Sequence, residues 1–237
     1  MSLRSLLLGA FLVTLSFAAD ARAAQWQSLR MPAPDGGELL YALLVPDDYQ
    51  KGQARPLVLA LHPGAKQGDY YGLGFARQVV APGITGLNAI IIAPDCPTRT
   101  WTDPGADRAV MALVQKMLTD FTIDRKRVLV VGFSMGGRGT WFMSAEHPDV
   151  FTAAIAMAAP VGNEPRTRLG KIPTYVIHGG ADDVVPFGPA EENAMALQKE
   201  GKPVVFEAAP DLPHYTMGAY IPYLRRAMRW VDGRWSK

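Results

Sequence analysis

Apolar residues fall along this chain in two rhythms. Six runs of five to seven residues (56–62, 88–94, 128–132, 153–158, 174–178 and 204–208) consist mostly of Val, Ile, Leu and Ala, with Gly, Pro or polar residues at their ends. Apolar on both faces, they predict buried strands of a parallel sheet. Between them, segments 69–80, 105–121, 135–147, 189–200 and 216–231 are long enough for helices. Within 106–118, Ala109, Val110, Leu113, Val114, Met117 and Leu118 recur three and four apart, the apolar stripe of a helix that must face a sheet. Ahead of the first run, 25–45 predicts two antiparallel strands turned by Asp35-Gly36-Gly37. Strand and helix alternate almost throughout, which predicts an α/β fold: one domain, a mostly parallel central sheet and helices on both faces. No internal repeat and no Pro/Ser-rich linker divides it. The elements follow one another closely, leaving little room for a large lid.

The first 23 residues obey a different pattern. Arg4 precedes an apolar stretch of 14 residues, 6–19, and Ala21-Arg22-Ala23 is an A-x-A site, so 1–23 reads as a signal peptide cleaved on export to the periplasm or beyond. Fourteen residues are too few to span a bilayer, and no other apolar run approaches that length, so no membrane span is expected. The mature domain is then 24–237. Its composition, 49% hydrophobic and 19% charged over the full chain, is that of a globular protein with a real core. The net charge of +2 comes without blocks of like sign, which excludes the electrostatic footprint of a nucleic-acid partner. Cys96 is the only cysteine, so no intramolecular disulfide is available; it reads as a small buried hydrophobe.

Chemistry enters at Gly132-Phe133-Ser134-Met135-Gly136, a G-x-S-x-G between a predicted strand and a predicted helix. In that setting the motif is a nucleophile elbow, in which glycines two before and two after the serine relieve crowding at a sharp turn. Gly137 is a further small residue where the helix packs near the sheet. A serine hydroxyl is a weak nucleophile and needs a positioned base, oriented in turn by a carboxylate. Of the four histidines, His62 and His178 end strands and His147 ends a helix; only His214 lies late in the chain with acids between it and Ser134. The acid is expected after the strand ending at His178, where Asp182 and Asp183 stand side by side. Adjacent loop side chains point apart, so one of the two should reach His214. An oxyanion hole needs two backbone N–H donors. Met135 supplies one, and Gly64 or Ala65 the other, because Pro63 has no N–H.

Together these residues resemble the α/β-hydrolase superfamily. The resemblance is to its bacterial esterase and predicted-peptidase branch, related to poly(3-hydroxybutyrate) depolymerases, feruloyl esterases and the prolyl oligopeptidase catalytic domain. The similar stretches span about 56–220 and include Leu59-Ala-Leu-His62, Ala93-Pro-Asp-Cys-Pro97 with Trp101, Arg127 to Gly137, His147-Pro-Asp-Val-Phe151 and His178 to Pro186. The resemblance implies Ser134 as nucleophile, Asp182 rather than Asp183 as acid, His214 as base, and no metal or other cofactor. Two positions depart from the family pattern. The oxyanion loop is His62-Pro63-Gly64-Ala65 instead of H-G-x-G, and Arg138 follows S-M-G-G where an aromatic or apolar residue is common. Arg138 either faces substrate, favouring an anionic group, or faces solvent. Trp101 and Tyr70, with Tyr71, sit in loops expected to border the pocket, where rings either stack on substrate or simply pack. Trp141 is expected in the core.

The leading expectation is a serine carboxylesterase acting on a small-molecule or polymer ester. Two others stand beside it. A prolyl-oligopeptidase-type peptidase would usually carry a gating domain, for which 214 residues leave no space. A non-catalytic binding protein on the same fold would usually have lost a triad member.

Overall fold

A computed structural model describes residues 25–64 and 68–236, so the leader 1–23 and Ala65 lie outside the described residues. Eight strands form one sheet in the order β1-β2-β4-β3-β5-β6-β7-β8. The antiparallel lead-in is β1 (Trp26–Pro32) and β2 (Glu38–Leu44), joined by a turn in which Ala33 N–H donates to Gly37 O at 3.1 Å. β2 pairs antiparallel with β4 (Ile90–Pro94). From β4 onward, through β3 (Arg55–Leu61), β5 (Ile123–Phe133), β6 (Ala153–Met157), β7 (Thr174–Gly179) and β8 (Val204–Ala209), every pairing is parallel.

Alternate residues of the central strands feed opposite cores. Val58, Ala60, Ile91, Ala93, Leu129 and Val131 pack on one side. There they meet α1 (Tyr71–Phe75), a π-helical turn (Ala76–Val80), α2 (Ala81–Gly83) and α6 (Ile221–Trp235). Leu57, Leu59, Leu61, Ile90, Ile92 and Val130 face the other way, against α3 (Pro104–Asp120), whose buried stripe is Ala106, Ala109, Val110, Leu113, Val114 and Met117. α4 (Met135–Glu146) and α5 (Phe187–Lys199) continue that layer over β6 to β8 through Trp141, Ala194 and Leu197. Burial on both faces is why these strands read as unbroken apolar runs.

Several boundaries differ from the pattern's. β4 begins at Ile90, not at 88, because Asn88 is left-handed (φ 51°), a conformation Asn tolerates and a strand does not. β5 begins five residues before Val128: the polar Asp124-Arg125-Lys126-Arg127 masks a strand extension in which Ile123 pairs with Arg55 before the register shifts. Segment 69–80 is not one helix. Tyr70 is left-handed (φ 57°), α1 follows, and the helix then widens into the π turn. The last helix opens as a 3₁₀ turn (Met217–Tyr220) and becomes α-helical at Ile221, next to Pro222, a residue suited to a helix's first turn.

Connections from β3 and β5, which are neighbours, leave toward opposite edges of the sheet. Crevices in open α/β sheets form at the carboxyl ends of such strands. His62 to Gly64 follow β3 and Ser134 follows β5, so the topology places the candidate groups there.

Candidate active site

Ser134 sits between β5 and α4 at φ 54° and ψ −116°, a strained backbone for a residue with a Cβ. Two hydrogen bonds hold it: its N–H donates to Met157 O at 2.9 Å, and its carbonyl accepts from Arg138 N–H at 2.9 Å. The glycines of the motif are required by close approach. A Cβ on Gly132 would run into the Gly136 carbonyl and meet Thr140 Oγ1 at 2.9 Å; one on Gly136 would run into the Leu61 carbonyl and meet His62 O at 2.8 Å. The turn can therefore bring α4 onto β3 only without side chains at 132 and 136.

Three residues from distant segments meet at the turn. His214 Nε2 is 2.9 Å from Ser134 Oγ, and His214 Nδ1 is 2.7 Å from Asp182 Oδ2. His214 is 4% exposed, while the Asp182 carboxylate has no exposed surface. Its other oxygen, Oδ1, accepts from Val184 N–H at 3.0 Å and Val185 N–H at 2.7 Å, so the loop itself aims Oδ2 at His214. Asp183 points into solvent. Such a relay lets Ser134 lose its proton to His214 while Asp182 stabilises the imidazolium. Met135 heads α4, where the first N–H groups have no intrahelical acceptor and carry the positive end of the helix dipole. Gly64 lies beside it: a Cβ there would be 3.8 Å from Met135 Cβ.

The cavity in front of Ser134 has a volume of about 510 Å³; Tyr71, Phe133, Val184, Tyr215 and Met217 give it mainly apolar walls. Ser134 is partly exposed and Tyr215 is 80% exposed, so no described segment closes over it. Of the three aromatics expected to border the pocket, Tyr71 lines it and Trp101 and Tyr70 do not. Trp101 is 0% exposed beneath the elbow, its Nε1–H donating to His62 O at 2.9 Å and its ring edge-on to His62, because α4 packs over it at Gly139. Tyr70 turns away because its left-handed backbone is fastened by the Asp95 carboxylate, which accepts from Tyr70 N–H at 2.7 Å and Gly72 N–H at 2.9 Å. Tyr71 takes the pocket position instead. Asp95 thus shapes the pocket wall; it lies in the Ala93-Pro-Asp-Cys-Pro97 stretch, where an acid directly after a predicted strand was its only signal.

Arg138 lies outside the lining of the Ser134 pocket. It is half-buried beside Gly162 and lines a separate cavity with Thr102, Phe142 and Glu164. His147 caps the end of α4 and lies 2.6 Å from Asp107. Trp141 and Cys96 are buried, as expected. Among the described residues no group of three or more His, Cys, Asp or Glu is placed to hold a metal, and no helix is long and apolar enough to cross a membrane.

Solved structures put this fold among the α/β hydrolases. It superimposes on a thermostable esterase with a TM-score of 0.73 at 26% identity, over 88% of this chain and 62% of that one. A likeness of fold alone extends to a ferulic acid esterase, with a TM-score of 0.68 at 17% identity over 87% of this chain and 98% of that one. Within this class, the profile of the dienelactone hydrolase family matches residues 41–215, and the chain belongs to that family. Among its relatives, probable feruloyl esterase C of Aspergillus niger is 28% identical over 168 residues, 65% of this chain and 58% of that protein. Feruloyl esterase B of Thermothelomyces thermophilus is 25% identical over 238 residues, 94% of this chain and 72% of that protein. The chain spans about half the length of the first curated relatives it matches, 49% and 58% in two of them.

Proposed function

We propose that the protein is a serine hydrolase that cleaves carboxylic esters through an acyl-enzyme. What supports this reading is the unbroken relay Ser134 Oγ, His214, Asp182, with contacts of 2.9 and 2.7 Å, opening on an apolar pocket. In the first half-reaction Ser134 Oγ attacks the ester carbonyl carbon as its proton passes to His214 Nε2. The carbonyl oxygen becomes an oxyanion, met by Met135 N–H and by an N–H of the loop after β3, for which Gly64 is the candidate among the described residues. Collapse of the tetrahedral adduct expels the alkoxide, which takes the proton from His214. Water then repeats the sequence, with His214 as its base, and releases the carboxylic acid and free Ser134. Asp182 keeps the imidazole in the tautomer that accepts at Nε2. The mainly apolar walls suit a small or medium acyl or aryl group. The reading includes export, with residues 1–23 removed as a leader.

The test is hydrolysis of p-nitrophenyl acetate and butyrate, with labelling by a fluorophosphonate probe. Turnover and labelling are expected for the native protein and neither for Ser134→Ala; undiminished turnover in Ser134→Ala would sink the assignment. Export is checked by the amino terminus of protein recovered outside the cytoplasm, expected to begin at Ala24.

A further inference from the structure

Four histidines populate the chain, and the proposed reaction uses only His214. Two of the others, His62 and His178, are completely buried, and each sits where a strand hands over to a loop of the site. Each also places one ring nitrogen against a main-chain carbonyl of its own loop. His62 Nδ1 is 2.6 Å from Pro63 O, and His178 Nε2 is 2.9 Å from Val185 O.

These contacts settle where the protons are, because a carbonyl only accepts and a backbone N–H only donates. His62 Nδ1 must carry hydrogen to reach Pro63 O, and His62 Nε2 must be bare because Cys96 N–H donates to it at 3.0 Å. His178 is the mirror case. Its Nε2 carries hydrogen for Val185 O, while its Nδ1 is buried without a partner among the described residues, where a second proton would be an unsatisfied donor. Burial accordingly pushes the His178 imidazole below its ordinary range. The two rings are opposite tautomers.

The consequence for the site lies in the peptides they hold. A trans peptide is planar, so a carbonyl oxygen and the following N–H point in opposite directions. No described peptide is cis. With Pro63 O drawn in to His62, Gly64 N–H points away from the ring, and Gly64 itself lies beside Met135, the other candidate donor. At the other loop, Val185 is fastened at both ends of its backbone: its N–H donates to Asp182 Oδ1 and its carbonyl accepts from His178. That leaves Asp182 Oδ2 for His214, with His178 Nε2 3.5 Å behind it.

We propose that His62 and His178 are paired positioning residues, neutral clamps of opposite tautomer. His62 aims Gly64 N–H as the second oxyanion donor, and His178 aims the carboxylate of Asp182. This rests on the reading of Ser134, His214 and Asp182 as a catalytic triad.

An amide swap tests it by atom position. Asn carries its NH₂ as many bonds from Cβ as Nδ1 of histidine, and Gln as many as Nε2. His62→Asn and His178→Gln therefore keep the clamping donor, whereas His62→Gln and His178→Asn misplace it. On p-nitrophenyl butyrate we expect His62→Asn and His178→Gln to keep kcat within about 10-fold of wild type. His62→Gln should lose about 10²-fold or more in kcat with KM little changed, the loss typical of a missing oxyanion donor. His178→Asn should fall well below His178→Gln. Equal losses for Asn and Gln at both positions, or the same preferred amide at both, would overturn the proposal. Should the variants not fold, ¹⁵N-resolved spectra of the native protein decide: His62 as the Nδ1–H form and His178 as the Nε2–H form support it, and any other assignment refutes it. Persistent turnover in Ser134→Ala would instead remove the triad reading, an outcome the tautomer spectra do not depend on.

Discussion

Gly137→Ala isolates how closely the elbow helix must approach the sheet. A Cβ at 137 would lie 2.5 Å from Met157 O and 2.8 Å from Ala159 Cβ, and neither neighbour is the loose end of a flexible side chain. Real Cβ contacts begin near 3.0 Å and relax at about 3.4 Å, so α4 and the end of β6 must part by about 0.5–0.9 Å. Met157 O is also the acceptor for Ser134 N–H at 2.9 Å, so the separation is delivered straight to the serine. Opposing effects act on stability. Overpacking costs about 1–3 kcal/mol, while replacing a helical glycine by alanine recovers about 1 kcal/mol. The net loss is modest. Activity suffers more, since a 1 Å misplacement at a reacting group costs about 100-fold. We expect kcat/KM on p-nitrophenyl butyrate to fall roughly 10- to 100-fold, about 1.4–2.7 kcal/mol of barrier, with a thermal midpoint only slightly lowered. Gly233→Ala, in α6 with nothing within 4 Å of the new Cβ, is the control and should stabilise with activity unchanged. Native kcat/KM in Gly137→Ala would refute the claim that Met157 O couples helix packing to Ser134.

Other residues carry their own expectations. Asp182→Asn should lower kcat by about 10⁴-fold through the wrong tautomer of His214, whereas exposed Asp183→Asn should stay near wild type; equal effects would show that the carboxylates were misassigned. Trp101→Phe removes one donor from the buried His62 carbonyl and should cost about 0.5–1.5 kcal/mol in urea unfolding; an unchanged midpoint would argue against that bond. The contact with Asp107 raises the pKa of His147, so it contributes stability that is complete below the ordinary histidine value and fades as pH rises through the raised one. His147→Gln should therefore lower the melting temperature more at about pH 5.5 than at about pH 8.5, and equal losses would count against the pair. Burial and the Glu207 carboxylate hold the Tyr175 hydroxyl up to about 12, so its phenolate absorbance should be missing at about pH 10.5 and Tyr175→Phe should not change the alkaline titration there.

Much of the architecture is legible in the chain because its signals are local. Strand runs, the helical stripe of 106–118, the Asp35-Gly36-Gly37 turn and G-x-S-x-G each depend on residues within a few positions of one another, where period and steric demand act directly. Chain order was enough to select His214 among four histidines, since strand ends in this fold gather at one edge. The acid was different. The residues alone left Asp182 and Asp183 open and the family resemblance favoured Asp182; the folded loop gives the physical reason, because the N–H groups of Val184 and Val185 hold that one carboxylate inward.

Aromatic content alone did not separate the ring that lines the pocket, Tyr71, from those that do not. Trp101 and Tyr70 read like Tyr71 in the sequence, but burial under α4 removes the first and the hold of Asp95 on Tyr70's backbone turns the second away. The extent of β5 was hidden for a related reason: its polar residues join a strand whose partner, Arg55 opposite Ile123, lies far back along the chain. Thus the sequence by itself determined the fold class, the elbow and the histidine. Tertiary structure decided which carboxylate meets His214, which aromatic lines the pocket and which carbonyls the buried histidines meet, since Ser134 and His214 stand 80 residues apart and His214 and Asp182 32 apart, distances over which no local pattern acts.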